Sequence, residues 1–153
     1  MMPNFRATTT FALSAILLAT SGCKKEAPKP ADTPAALPAP APLAVASIDL
    51  GKAVGADYKV AAPAATFGIR DTIYASVSTT GVGANATIGA KWTYVKADGS
   101  SIAVNESSQT ITTAGPSATE FHISKASPWP KGKYRVEVSL NGASAGTKDF
   151  EVQ

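Results

Sequence analysis

"GKYRVEVSL", Gly132 to Leu140, decides the fold. Tyr134, Val136, Val138 and Leu140 alternate with Lys133, Arg135, Glu137 and Ser139, and that period of two predicts a strand with one buried and one wet face. Downstream, "TKDFEVQ" closes the chain as a second strand with Phe150 and Val152 turned inward. Asn141-Gly142 between them is the strongest short signal for a two-residue hairpin turn. The two readings conflict. With Leu140 opposite Ala143, regular pairing sets Phe150 against Lys133 and sends it to the solvent face, because cross-strand partners share a side. Burying Phe150 and Val152 is worth about 1.5–3 kcal/mol each, more than the preference for one turn over another. The hairpin is therefore expected to hold one extra residue, either in a three-residue loop with Gly142 left-handed or in a bulge near Gly146.

Working upstream, the same signature recurs in short segments. "DTIYASVST" (71–79) puts Ile73, Ala75 and Val77 on one face, and "TIGAKWTYVK" (87–96) does so with Ile88, Ala90, Trp92 and Tyr94. A turn at 97–100 precedes a weaker strand over Ser101 to Val104 and another near Ile111. "TEFHISK" (119–125) turns Phe121 and Ile123 inward. No amphipathic helical period of useful length interrupts them. The prediction is an all-β fold, a two-sheet antiparallel sandwich of about seven strands over residues 47–153.

Two positions give the sandwich a resemblance to the immunoglobulin-like and fibronectin type III domains. Trp92 stands where their third strand carries a buried tryptophan. Tyr134 stands where a tyrosine corner opens the penultimate strand, its hydroxyl bonded to backbone a few residues upstream. The resemblance implies a core built on Trp92, Tyr134, Phe121 and Phe150. The inter-sheet disulfide is missing: its places fall to Ala75 or Val77 and to Val136. The run from Trp129 to Val136 is also similar to one in uncharacterised envelope lipoproteins.

Residues 1–22 read as a targeting segment, with Arg6 before an apolar run from Phe11 to Ala19 that is too short to span a bilayer. Small residues follow, then Cys23, the sole cysteine. Ser21-Gly22-Cys23 resembles the lipobox of bacterial lipoproteins, although Thr20 stands where that family prefers an aliphatic residue. The resemblance implies cleavage before Cys23, acylation of its thiol and amine, and, with Lys24 next, location at the periplasmic face of the outer membrane. A lone exported thiol is otherwise a liability, and two or three acyl chains anchor firmly where one does not. Lys24 to Ala46 holds six prolines and eight alanines, a disordered, extended tether with too little apolar bulk to fold.

Chemistry is sparse. Removing residues 1–22 takes one cation from a formal net charge of +3. The near-neutral remainder argues against a nucleic-acid partner, and Lys131 to Arg135 reads as the wet face of a strand. His122, the only histidine, is expected outward on its strand without a nucleophile or orienting acid converging on it. No cluster of metal ligands or cofactor motif stands out, and the glycines at 81–89 read as a connecting loop. Trp129, held between Pro128 and Pro130, is the candidate binding residue, since exposed aromatics bring large apolar area at low entropy cost. Alternatively it folds back to plug the sandwich beside Tyr134. The expectation is a non-enzymatic, lipid-anchored envelope protein that binds a membrane through its lipid and serves an envelope protein complex as a binding or accessory subunit. The alternative is a periplasmic module that captures a glycan, a peptide or a hydrolase.

Overall fold

The structure, a computed structural model, describes residues 39–153. Eight strands and no helix make up this part of the chain. They are β1 (Ala44–Gly51), β2 (Thr66–Phe67), β3 (Ile73–Thr80), β4 (Gly83–Val95), β5 (Ser101–Thr113), β6 (Ser117–Ile123), β7 (Gly132–Leu140) and β8 (Ala143–Val152). Two sheets result, one ordered β1-β3-β6 and the other β2-β8-β7-β4-β5. All pairings are antiparallel except that of β2 with β8. The fold is the expected immunoglobulin-like sandwich without an inter-sheet disulfide.

The inward sets read from the alternation meet between the sheets. Ile73, Ala75, Val77, Phe121 and Ile123 come from the smaller sheet; Ile88, Ala90, Trp92, Tyr134, Val136, Val138, Phe150 and Val152 come from the larger, and all are buried. Trp92 is fully buried at the centre, its ring edge-on to Phe150 at 5.9 Å. Phe150 stacks on Tyr134 at 5.3 Å and takes the edge of Phe67 at 5.5 Å.

The hairpin conflict resolves in favour of the core. Asn141 and Gly142 both have positive φ, 52° and 82°, and form the two-residue turn. Leu140 faces Ala143 and Ser139 faces Ser144, but Val138 faces Gly146, so Ala145 is the extra residue. The bulge turns the rest of β8 over, and Tyr134 pairs directly with Phe150.

Three elements differ from the sequence reading. The sandwich begins before residue 47: β1 starts at Ala44, and Leu43 N donates to Val82 O at 3.1 Å while Val82 N donates to Ala41 O at 2.9 Å. A register shift between Val45 and Ser47 spaces the inward Val45, Ile48 and Leu50 unevenly, which hides the strand's period. Glycines 81–89 do not make one loop, because β4 already starts at Gly83. The turn needs Gly81, at φ 89°, where any Cβ would strike the Pro42 carbonyl. Finally, the weak strands expected at 101–104 and near 111 are one continuous β5.

Candidate functional site

β3 and β4 are joined by a tight turn, so the strand ends sort into two groups. Where Ala44, Thr80, Gly83 and Thr113 gather, the chain enters the domain. At the opposite, lower end lie Val95, Ser101, Ile123 and Gly132. There the segment after β6 crosses under the sandwich. Trp129 N donates to Ile69 O at 2.7 Å, and its indole Nε1 donates to Asp71 O at 2.9 Å.

That geometry decides between the two readings of Trp129. Its side chain is 6% exposed and sits edge-on to Tyr134 at 6.3 Å. An indole gains more by burying its apolar rings with a partner for its N–H than by standing in water. Trp129 is the plug. The Tyr134 hydroxyl donates to Pro130 O at 2.8 Å, so the tyrosine corner holds the plug's own segment. Burial pushes the Tyr134 phenol above its ordinary pKa.

Plugging the end leaves a cleft beside it. β5 is the edge of the larger sheet and β6 an edge of the smaller one, and the two edges run along the same side of the sandwich. Between their lower ends opens a groove of about 400 Å³, lined by Tyr94, Ile102, Val104, Ile123 and one face of Trp129, with Lys125 at its mouth. Ile102 on its rim is 49% exposed. The Tyr94 ring closes the inner wall, 5.0 Å from Tyr134, with its hydroxyl 3.4 Å from Lys131 O. Higher in the cleft Gln109 Nε2 reaches across and donates to Glu120 O at 2.6 Å. Such a groove can hold an apolar group and orient it through Lys125.

Titratable groups are placed for structure. Asp71 accepts from Lys52 Nζ at 2.7 Å and from Gly68 N at 2.8 Å. These contacts, the lysine first, hold its carboxyl below the usual range. Likewise Ser100 lowers Asp98 and Arg135 lowers Asp149. His122 lies outward, as read, but an acid that the reading did not expect adjoins it: its Nδ1 is 2.7 Å from Glu120 Oε1, and its ring 5.3 Å from Tyr74. Among the described residues no three His, Cys, Asp or Glu side chains are grouped to hold a metal. No helix among them is long and apolar enough to cross a membrane. Cys23 lies outside the described residues. Sequence reasoning missed Tyr94, Ile102, Val104 and Ile123 as a group. Each was visible as an inward or weak-strand residue, but their convergence depends on which edges the topology sets side by side.

No family model and no curated protein matches the chain. Among solved structures, an immunoglobulin-like protein from Pseudomonas aeruginosa is 14% identical, with 74% of this chain and 98% of that one covered and a TM-score of 0.52. An alkylpurine DNA glycosylase from Pseudomonas fluorescens is 16% identical at a TM-score of 0.44; 74% of this chain matches 31% of its length. A β-glucosidase from Listeria innocua is 12% identical, with 70% of this chain and 16% of the enzyme covered and a TM-score of 0.44. At these identities the likeness to the Pseudomonas aeruginosa protein is one of fold.

Proposed function

We propose that this protein is a non-catalytic binding or accessory subunit of the cell envelope, anchored by lipid on Cys23, and that its immunoglobulin-like domain engages a partner through the β5–β6 cleft. The open apolar groove with the half-exposed Ile102 on its rim carries the reading of the cleft. A water-facing isoleucine beside aromatic walls is ready to be covered at little desolvation cost, since the groove's surface is largely apolar. The anchor and its placement at the periplasmic face of the outer membrane rest on the lipobox resemblance around Cys23. The groove's volume also suits a small ligand, and that observation supports the alternative of a capture module.

Two substitutions test the proposal separately. Cys23→Ser should abolish both processing before residue 23 and retention on membranes after a high-salt wash; a variant still cleaved and retained refutes the anchor. Ile102→Asp should remove the partner recovered from detergent-solubilised membranes while leaving the domain's unfolding free energy in urea within about 0.5 kcal/mol of the parent's, as for other surface changes. Recovery of the same partner by both proteins refutes the cleft. A thermal shift on adding small molecules, lost in Ile102→Asp, would favour the capture module.

A further inference from the structure

The four edges of the two sheets are not alike. β2 is two residues long, β1 carries a register break, and β6 is short, begins just after Pro116 and has its Glu120 carbonyl occupied by Gln109. Short, bulged or covered edges are how sheets avoid pairing with other chains. β5 has 13 residues, and only Val104, Ile111 and Thr113 among them are half-buried; the rest are exposed. From Asn105 to Ile111 its register with β4 is unbroken. This run contains neither proline nor lysine, and Glu106 is its only charge. The Glu106 side chain is on the outer face, opposite Lys91, rather than in the path of an incoming strand. β5 thus presents a row of open backbone groups and overhangs the smaller sheet, contributing little to the core.

We propose that this edge pairs with the β5 edge of a second copy of the chain, antiparallel and centred on Ser108, joining the two larger sheets into one. Centring on Ser108 uses the whole regular run of both copies. It sets Glu106 opposite Thr110 and Ser107 opposite Gln109. The two Glu106 carboxylates then stand four residues apart along the strands, about 14 Å at ~3.4 Å per residue, so the strand's one charge never meets its twin. Like charges directly opposite would oppose pairing. The partner's strand also gives the inward, exposed Asn105 and Ser107 side chains cross-strand neighbours. The inference is independent of the lipid anchor and of what fills the groove.

Ser108 is exposed and faces Gly89 on β4, so substitution there leaves the fold intact. At the two-fold axis two copies bring their Ser108 Cα atoms to about 4.5–5.5 Å, within disulfide reach. The full chain carrying Ser108→Cys, in membranes under mild oxidation, should run at twice its mass on a non-reducing gel. The parent chain and a Lys148→Cys chain, with the new thiol exposed on the opposite edge region, should not. In the mature chain solubilised in detergent, Ser108→Lys should shift sedimentation from dimer to monomer without moving the urea midpoint. Equal cross-linking from Lys148→Cys, or a sedimentation profile unchanged by Ser108→Lys, overturns the proposal. So does a parent chain that sediments as a monomer together with a Ser108→Cys chain that stays unlinked.

Discussion

Tyr134 ties together most of what the lower end of the domain needs. Its ring stacks on Phe150 and meets Tyr94 and Trp129 edge-on, while its hydroxyl fixes the plug segment through Pro130 O. Tyr134→Phe keeps the rings and loses that one bond. We expect a loss of about 0.5–1.5 kcal/mol in urea unfolding, with larger changes in Trp129 fluorescence than in the far-ultraviolet spectrum. Trp92 differs, because its buried indole N–H has no hydrogen-bond partner among the described residues. Trp92→Ala should cost about 3–5 kcal/mol through lost area and cavity. Trp92→Phe should cost less, since its ring fills part of that space. If both variants unfolded at the same urea concentration, the volume filled at position 92 would have no energetic role.

Asp71 gives the domain an acid limit. Its folded-state pKa lies below the ordinary carboxylate value because Lys52 and the Gly68 N–H stabilise the charged form. A depressed carboxylate contributes stability above its unfolded pKa and loses it as pH falls through the folded one. The urea midpoint should therefore hold from about pH 7 to pH 5 and fall below about pH 4, near the unfolded carboxylate value. Asp71→Asn should lower the midpoint at neutral pH and flatten that fall. Asp98 and Asp149 leave a residual slope in the same window.

At the scale of elements, β3, β4, β6, β7 and β8 were legible because each has one dry and one wet face, and that asymmetry writes itself into the residue order. The extra residue in the last hairpin was legible for the same reason, since the alternation of β7 and that of β8 disagree by one. Deleting Ala145 leaves Ser144 opposite Ser139 and Gly146 opposite Val138, so a regular ladder still sets Phe150 against Tyr134. We expect the deletion variant to melt close to the parent by circular dichroism, whereas one residue inserted after Ala145 shifts the rest of β8 by one and should cost several kcal/mol, about two buried side chains' worth. An insertion protein of unchanged stability would mean that the register of this hairpin is not what keeps Phe150 inside. β1 was hidden because its own register break falls within the stretch where the alternation should show. β5 was read as fragments because it has two wet faces, and a strand without a dry side leaves no period to find.

Across the whole molecule the two sheets and their core could be read in advance, whereas the groove could not. Tyr94, Ile102, Ile123 and Trp129 come from four separate stretches, and only the strand order brings them to one side. Trp129 shows the limit most sharply. Two flanking prolines fix its backbone without saying which way the ring turns, and the deciding contacts, the carbonyls of Ile69 and Asp71, lie far upstream. The lipobox-like Ser21-Gly22-Cys23 and the alanine- and proline-rich stretch after it are, conversely, features of the sequence alone.

The direction in which β1 runs from its first residue has a mechanical consequence. Any pull transmitted through the N-terminal segment reaches the domain at Ala44, after the paired Leu43–Val82 and Val82–Ala41 bonds. From there β1 passes down the length of β3, with partners from Thr80 to Tyr74. Tension along that axis loads the rungs of the ladder side by side instead of opening them in turn, so they must yield together. The ladder's geometry thus suits the domain to resist a pull from its N-terminal end.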